Sequence, residues 1–184
     1  MKPSYVFCLE ALPNTNQNIP SKLLPWLENL AVQFDIPNVY QSCTDIEGLE
    51  QALQILLYED RNFNDYNIIY FHVKGSNNTI TLDNYHYDLE EIAELFEGKL
   101  KNKIIHFSNA FRLDLDPEQS QYFLDVTGAR GLSGYINNPV LPSQVLDAHY
   151  FDLCQHYTDV VEITETLCEE HFGLFKNLGF NMYY

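Results

Sequence analysis

A near-continuous apolar run at residues 68–73, Ile-Ile-Tyr-Phe-His-Val, constrains the fold of this chain more than any other feature. A run of this kind is expected for a strand that is covered on both of its faces. Strands covered in this way belong to parallel sheets with helices on either side. We therefore predict that residues 68–73 form a central strand.

The rest of the chain alternates between strand-like and helix-like patterns. Further strands are predicted at 5–9, 39–42, 103–107 and 132–136, and Gly75–Asn78 predicts a turn before an extended segment at 79–82. Apolar residues at helical spacing predict helices after Ser21, after Asp45 and at 88–96, 119–127, 143–156 and 160–176. Strands that alternate with helices predict a three-layer α/β/α sandwich around a mostly parallel sheet.

Length and composition fit one domain that spans residues 1–184. The chain has 184 residues, of which 46% are hydrophobic, and this is enough material for a buried core. We find no internal repeat, no low-complexity tract and no linker-like run of charge.

The formal net charge of -16 argues against nucleic acid and anionic membranes as partners, because both attract clustered Lys and Arg. Solubility is the simplest consequence of the acidity, and steering of a basic partner is the alternative. No stretch approaches the ~20 apolar residues that span a bilayer, so we expect a cytoplasmic protein. The four cysteines form no CxxC pair, and we expect reduced, mostly buried thiols.

In open α/β sheets, ligands and catalytic groups gather beyond the carboxyl ends of the strands. Three such ends are therefore the places to search for chemistry. They are His-Val-Lys-Gly-Ser at 72–76, His-Phe-Ser-Asn-Ala at 106–110 and Ser-Gly-Tyr-Ile-Asn at 133–137.

These segments carry a resemblance to a known family. The order of elements, with Ile-Ile-Tyr-Phe at 68–71, Ile-Ile-His-Phe-Ser at 104–108, Gly-Ala at 128–129 and Leu-Ser-Gly-Tyr at 132–135, resembles the caspase-like fold of bacterial CHAT-type proteins. That fold belongs to the clan CD cysteine peptidases. The likeness spans most of the chain.

In that family, the resemblance implies, a His-Gly pair after the third strand supplies the base and a Cys at the end of the fourth supplies the nucleophile. A neighbouring imidazole makes the thiolate available for attack. Gly75 matches the family glycine, so Lys74 stands where the His belongs, and Ala110 falls at the Cys position or within one residue of it. The resemblance thus implies a pseudo-peptidase that has lost its dyad and acts by binding a protein or peptide. Lys74 would then hold a partner's carboxylate or pair with a nearby acid such as Asp83.

Two other functions stay open at this stage. An active hydrolase could use a nonstandard centre around His72, Lys74 and Ser108, with His72 as base and Ser108 as nucleophile; a local turn hydrogen bond is the simpler role for Ser108. A flavodoxin-like, nucleotide-binding domain is the third reading. It is weakened because residues 13–20, between the first strand and first helix, contain no glycine for a phosphate loop.

No cofactor or metal is predicted. His72 and His106 lack a third ligand at zinc spacing, and we interpret His106 as a hydrogen-bonded core residue. The acidic residues Asp114, Asp116 and Glu118 lack the glycine and the distal Glu of a calcium loop, and we interpret them as a solvated loop. The alternative for Asp114 and Asp116 is that they are relics of a site that selected a basic substrate side chain. The aromatic segment 172–184 either packs back on the domain or forms an exposed patch for a partner. A homodimer through a sheet edge also stays open.

Overall fold

The protein is described by a computed structural model that covers residues 5–13, 20–137 and 141–184. The predicted loop at 13–20 therefore lies mostly outside the described residues. The elements of the first half are β1 Tyr5–Ala11, α1 Leu24–Phe34, β2 Asn38–Cys43, α2 Ile46–Gln54, β3 Tyr66–His72, β4 Lys74–Ser76, β5 Thr79–Leu82, β6 Tyr85–Asp88 and α3 Leu89–Glu94. Those of the second half are β7 Ile104–Phe107, α4 Pro117–Thr127, β8 Gly131–Tyr135, α5 Gln144–His156, α6 Val160–Glu170, α7 Phe172–Leu178 and β9 Phe180–Tyr183. A π-helical turn at Ile55–Glu59 extends α2, and a 3-10 turn at Phe63–Asp65 precedes β3.

Six strands form the main sheet, in the order β2-β1-β3-β7-β8-β9. All neighbouring pairs in it are parallel except β8 and β9, which are antiparallel. Strands β4, β5 and β6 form a separate antiparallel sheet that follows directly after β3. The predicted mostly parallel sheet is therefore confirmed.

Alternating side chains of β3 enter two different cores. Ile69 and Phe71 pack in the core that contains the buried faces of α2, α3 and α4. Ile68 and Tyr70 pack in the second core, with the buried faces of α1, α5 and α6. This strand is thus covered on both faces, as its apolar run predicts, and the three-layer α/β/α arrangement is confirmed.

The C-terminal segment differs from the predicted single helix at 160–176. The helix breaks at His171 into α6 and α7, and Gly179 then adopts a left-handed conformation (φ 66°) that turns the chain into β9. Phe180 and Met182 of this strand are buried in the second core. The segment therefore adds the outermost strand of the sheet and packs back on the protein through Phe180, while Phe172 and Tyr184 stay exposed.

The connections that follow β1 and β3 leave the sheet on opposite sides. After β1 the chain runs to α1, whose Leu27 and Leu30 lie in the second core, whereas after β3 it runs to the small sheet and to α3, whose Ile92 lies in the first. Neighbouring strands whose connections diverge in this way form a topological switch point, where ligands typically bind. This topology therefore predicts a crevice at the carboxyl ends of β1 and β3.

None of the helices within residues 5–13, 20–137 and 141–184 is long and apolar enough to cross a membrane.

Candidate functional site

The segments after β3 and β7 remain side by side beyond the ends of the two strands. The backbone N–H of Gly75 donates to the carbonyl of Ala110 at 3.3 Å, and the N–H of Arg112 donates to the carbonyl of Gly75, also at 3.3 Å. Gly75 and Phe111 form an isolated parallel bridge between the segments. The structure therefore brings Lys74 and Ala110, the two residues singled out from the sequence, to adjoining positions.

Close packing explains why a glycine follows Lys74. A Cβ atom at Gly75 would lie 2.2 Å from the carbonyl oxygen of Thr79 and 2.7 Å from the ring of Phe111. Both distances are too short for any side chain, so this crossing of the hairpin over the segment after β7 requires glycine. The spacing between Lys74 and the β7 end is thereby fixed.

The Lys74 side chain is exposed and lines a cleft of about 320 Å³. Asp83 lines the same cleft, yet among the described residues Lys74 forms no ion pair with Asp83 or with any other acid. The ammonium group is therefore available to a ligand. The other residues that line this cleft are Ala11, Leu12, Pro13, Thr81, Leu82 and Asn84.

Ser108 is fully buried, and the predicted local turn is present: its Oγ accepts a hydrogen bond from the N–H of Ala110 at 3.4 Å. His72 is only partly buried and lies on the neighbouring strand. The structure describes no hydrogen bond between His72 and Ser108. The base and the nucleophile of the alternative hydrolase centre therefore lie on neighbouring strands, but no hydrogen bond joins them in the described structure.

His72 sits at the end of β3, where its side chain is partly buried. Burial lowers the pKa of its imidazole below the usual 6.5, against the smaller opposing effect of the negative charges of Glu10 and Asp147. Its Nδ1 is buried and has no hydrogen-bond partner among the described residues. A neutral imidazole with an open nitrogen is thus held at the carboxyl end of β3.

Glu10, which sequence reasoning did not single out, stands directly opposite His72 in the β1–β3 register. It is only 5% exposed, and its Oε2 accepts hydrogen bonds from Tyr40, at 2.6 Å, and from Ser21. Burial, together with this bond to Glu10, raises the pKa of Tyr40 to about 12, so the phenol stays a donor. The sequence did contain a signal that could have identified Glu10, because it is an acidic residue near the end of an otherwise apolar strand.

A second carboxylate, that of Asp147 on α5, is fully buried. It accepts hydrogen bonds from four side chains. They are the hydroxyls of Tyr70 (2.8 Å), Ser143 (2.8 Å) and Tyr135, together with Nε2 of His106 (2.9 Å). Burial raises the pKa of both tyrosines, as does the neighbouring charge of Asp147. Their hydroxyls therefore remain protonated and satisfy a charge that would otherwise be costly to bury.

This network contains Ser133, His106 and Asp147 in the order of a hydrolase triad. Ser133 Oγ lies 2.8 Å from His106 Nδ1, while Asp147 occupies the other ring nitrogen. All three residues are 0% exposed, so no substrate reaches the serine. The interpretation of His106 as a satisfied core histidine agrees with these contacts, and we assign the network a structural role.

The same network holds the segment that carries Ala110. The Ser143 hydroxyl, which donates to Asp147, also accepts from the N–H of Asn109 at 3.2 Å. In return the N–H of Ser143 donates to Oδ1 of Asn109 at 3.1 Å. The residue before Ala110 is therefore anchored through Ser143 to the buried carboxylate.

The acidic residues that follow β7 have local partners. Asp116 caps α4 by accepting from the N–H of Gln119 at 2.8 Å, and Asp114 pairs with the exposed Arg112 at 3.2 Å. The amide of Asn78 in the hairpin turn bonds to both backbone polar groups of Asp114. These contacts account for Asp114 as a loop contact and for Asp116 as a helix cap.

Comparison with known proteins gives a family and a fold. The model of a protein family described as "Family of unknown function (DUF6642)" matches residues 3–184. Comparison with curated proteins finds no match. The crystal structure of Caspase-1 from Spodoptera frugiperda is similar, with a TM-score of 0.54 over 92% of this chain and 76% of that chain, at 10% sequence identity. The likeness concerns the fold alone, and it confirms the predicted caspase-like architecture.

Replacement of the buried carboxylate tests the structural role of the network. Asp147→Asn turns one acceptor oxygen into an NH2 group that faces hydroxyl donors, and it should lower the free energy of unfolding by about 2–4 kcal/mol. Urea unfolding measures this change. Asp152→Asn on the same helix, where the carboxylate is partly exposed and lies 3.6 Å from Nε2 of His156, is the control and should cost under about 0.5 kcal/mol. Equal losses of unfolding free energy in the two variants would contradict the structural role that we assign to the network.

The environment of His72 predicts a dependence of stability on pH. Because the folded pKa lies below the unfolded value of 6.5, the unfolded chain binds the proton first, and stability falls as the pH drops from 6.5 toward the folded pKa. Unfolding measured between pH 7.5 and pH 5 should therefore show a smaller loss in His72→Gln than in the wild type. His149, whose pKa burial also lowers, contributes equally to both proteins. Identical slopes would show that His72 is not desolvated.

Proposed function

We propose that this chain, which belongs to the DUF6642 family, is a caspase-fold domain without a catalytic dyad that acts by binding a peptide segment of a protein partner. The observation that carries the proposal is the adjoining placement of Lys74 and Ala110 at the carboxyl ends of β3 and β7. These are the positions that the family resemblance assigns to the base and the nucleophile. A lysine ammonium is a poor base at neutral pH, and a methyl group cannot attack a carbonyl.

The surroundings of Ala110 support the loss of the nucleophile. The four cysteines lie elsewhere: Cys8, Cys43 and Cys154 are buried in the cores, and Cys168 is on α6. Burial raises the pKa of the Cys43 thiol to about 12, and that of Cys154 to the same value. Buried thiols of this kind react slowly, and neither β3 nor β7 ends in a cysteine.

The cleft beside Lys74 supports a binding role. Its volume of about 320 Å³ lies at the lower end of the range for ligand pockets, enough for one or two side chains of a peptide. Its lining combines apolar groups, such as Leu12 and Leu82, with the polar groups of Lys74 and Asn84. A mixed lining of this type suits an extended peptide segment, whose backbone and side chains offer both kinds of contact.

The alternative of an active hydrolase around His72, Lys74 and Ser108 receives less support. Ser108 is 0% exposed, and its Oγ is engaged in the turn with Ala110. An attacking hydroxyl needs a base within hydrogen-bond reach, and His72 is not bonded to it in the described structure. A homodimer through a sheet edge, for which β9 would be one candidate, stays a prediction.

Filling the cleft tests whether peptides bind there. Peptides selected against the wild-type protein from a display library of random octapeptides should bind Thr81→Trp at least tenfold more weakly, because the indole occupies the cleft. Thr166→Trp, the same substitution on α6 away from the cleft, should bind like the wild type. Fluorescence anisotropy with the labelled peptides measures both affinities. Failure to select any peptide, or equal binding by both variants, would argue against the proposed function.

A further inference from the structure

We infer that the stacked imidazoles of His149 and His171 form an acid-sensitive switch, which releases helix α7 and strand β9 from the rest of the protein when both rings are protonated. His149 lies on α5, and His171 lies at the junction of α6 and α7. Neither residue lines the cleft beside Lys74, so this inference does not depend on the proposed peptide binding.

The two rings lie face to face. Their centroids are 3.9 Å apart, and their planes are inclined by 26°. Two neutral imidazoles can stack in this way, and so can one neutral and one protonated ring, because the face of an aromatic ring attracts a cation. Two protonated rings repel each other, since two unit charges about 4 Å apart interact strongly near a protein surface. The second proton therefore opposes the contact that holds the junction of α6 and α7 on α5.

The acids near the pair offset this repulsion only in part. Both rings are half-buried, and the carboxylates whose charges act on His149 are Asp152 on the same helix and Glu170, next to His171. The carboxylate of Asp152 also lies 3.6 Å from Nε2 of His156, so its charge serves a second histidine.

The neighbouring helices α1 and α7 add no acid to the pair. The residues of α1 that line a crevice together with His149 are all uncharged: Trp26, Asn29, Leu30, Gln33 and Phe34. On α7 the charged residue is Lys176, whose ammonium lies over the ring of Phe172. A second positive charge on the stacked pair therefore meets no further compensation from these two helices.

The sign of the pH effect follows from His149. Burial lowers the pKa of its imidazole below the usual 6.5, and the charge of a protonated His171 lowers it further, against the smaller opposing effects of Asp152 and Glu170. An open form in which the two rings have separated binds the proton more readily than the closed form. Acid therefore favours the open form as the pH falls from 6.5 toward the lowered pKa.

The segment that His171 introduces is held by few buried groups. His171 ends α6 and begins α7, a helix of seven residues that contributes Leu178 to the second core. Strand β9 follows as the outermost strand of the sheet, paired with β8 and anchored by Phe180 and Met182. Short elements at the edge of a structure open locally at a low cost in free energy.

Release of this segment changes the surface of the protein. It uncovers the edge of β8 and removes Phe180 and Met182 from the second core. An uncovered strand edge pairs readily with another strand. Acidification would thus convert the covered edge of β8 into a surface for strand pairing.

Hydrogen exchange of the full chain, measured by mass spectrometry, tests the switch. Protection factors, which are corrected for the intrinsic effect of pH on exchange, are compared at pH 7.5 and pH 5.0. We expect α7 and β9 to lose protection at least about tenfold at pH 5.0, whereas α4, which packs in the first core, should lose less than about threefold.

Two variants assign the effect to the pair. His171→Phe keeps a ring in the stack without the second charge, and it should hold the loss in α7 and β9 below about threefold. His86→Phe, which removes an exposed histidine of β6, is the matched control and should behave like the wild type.

The comparison of α7 and β9 with α4 in the wild type needs no variant, so it decides the question even if His171→Phe fails to fold. Unchanged protection of α7 and β9 would overturn the switch, and so would an equal loss in α4, which indicates global destabilisation. A tenfold loss that persists in His171→Phe would overturn the role of the pair. Each of these results leaves the proposed peptide binding intact, because Thr81→Trp tests that binding separately.

Discussion

The parallel pairing of β3 with β7 is the constraint on which the rest of the site depends. Phe71 stands opposite Phe107 in that pairing, and the two rings stack with centroids 5.1 Å apart in the first core. Because the register is fixed inside the sheet, it also fixes which residues meet beyond its end. Gly75 then lies against Phe111, and Lys74 and Ala110 follow as neighbours.

Asp147 secures this arrangement from the opposite face of the sheet. Its donors come from β3, β7, β8 and from the turn before α5, so one buried carboxylate ties four parts of the chain together. The Ser133–His106–Asp147 arrangement resembles a hydrolase triad, but it stabilises the fold. Burial separates the two roles: a serine with no exposed surface stabilises the core and cannot meet a substrate.

The sequence predicted the parts of the fold that follow from local periodicity. The apolar run at 68–73 and the stripes after Asp45 and at 119–127 correspond to β3, α2 and α4 because burial alone specifies them. Strand β9 was not predicted, because the segment 172–184 shows aromatic residues without a strand pattern, and the turn at Gly179 that starts the strand is set by its left-handed backbone. Lys74 and Ala110 could be identified from the sequence because they follow predicted strands directly. The roles of Glu10 and Asp147 could not, because their partners are distant in sequence and only the folded structure brings them together.

The central claim is that position 110 lies beside Lys74 at the place of a nucleophile. Ala110→Cys, made together with Cys168→Ser to remove the one partly exposed native thiol, places a sulfur there. The pH dependence of its alkylation by iodoacetamide gives the pKa of the thiol, with Lys74 present and in Lys74→Met. Our account predicts a lower thiol pKa with Lys74 present, by about half a unit or more, because the ammonium stabilises the thiolate. The same pKa in both proteins would contradict it.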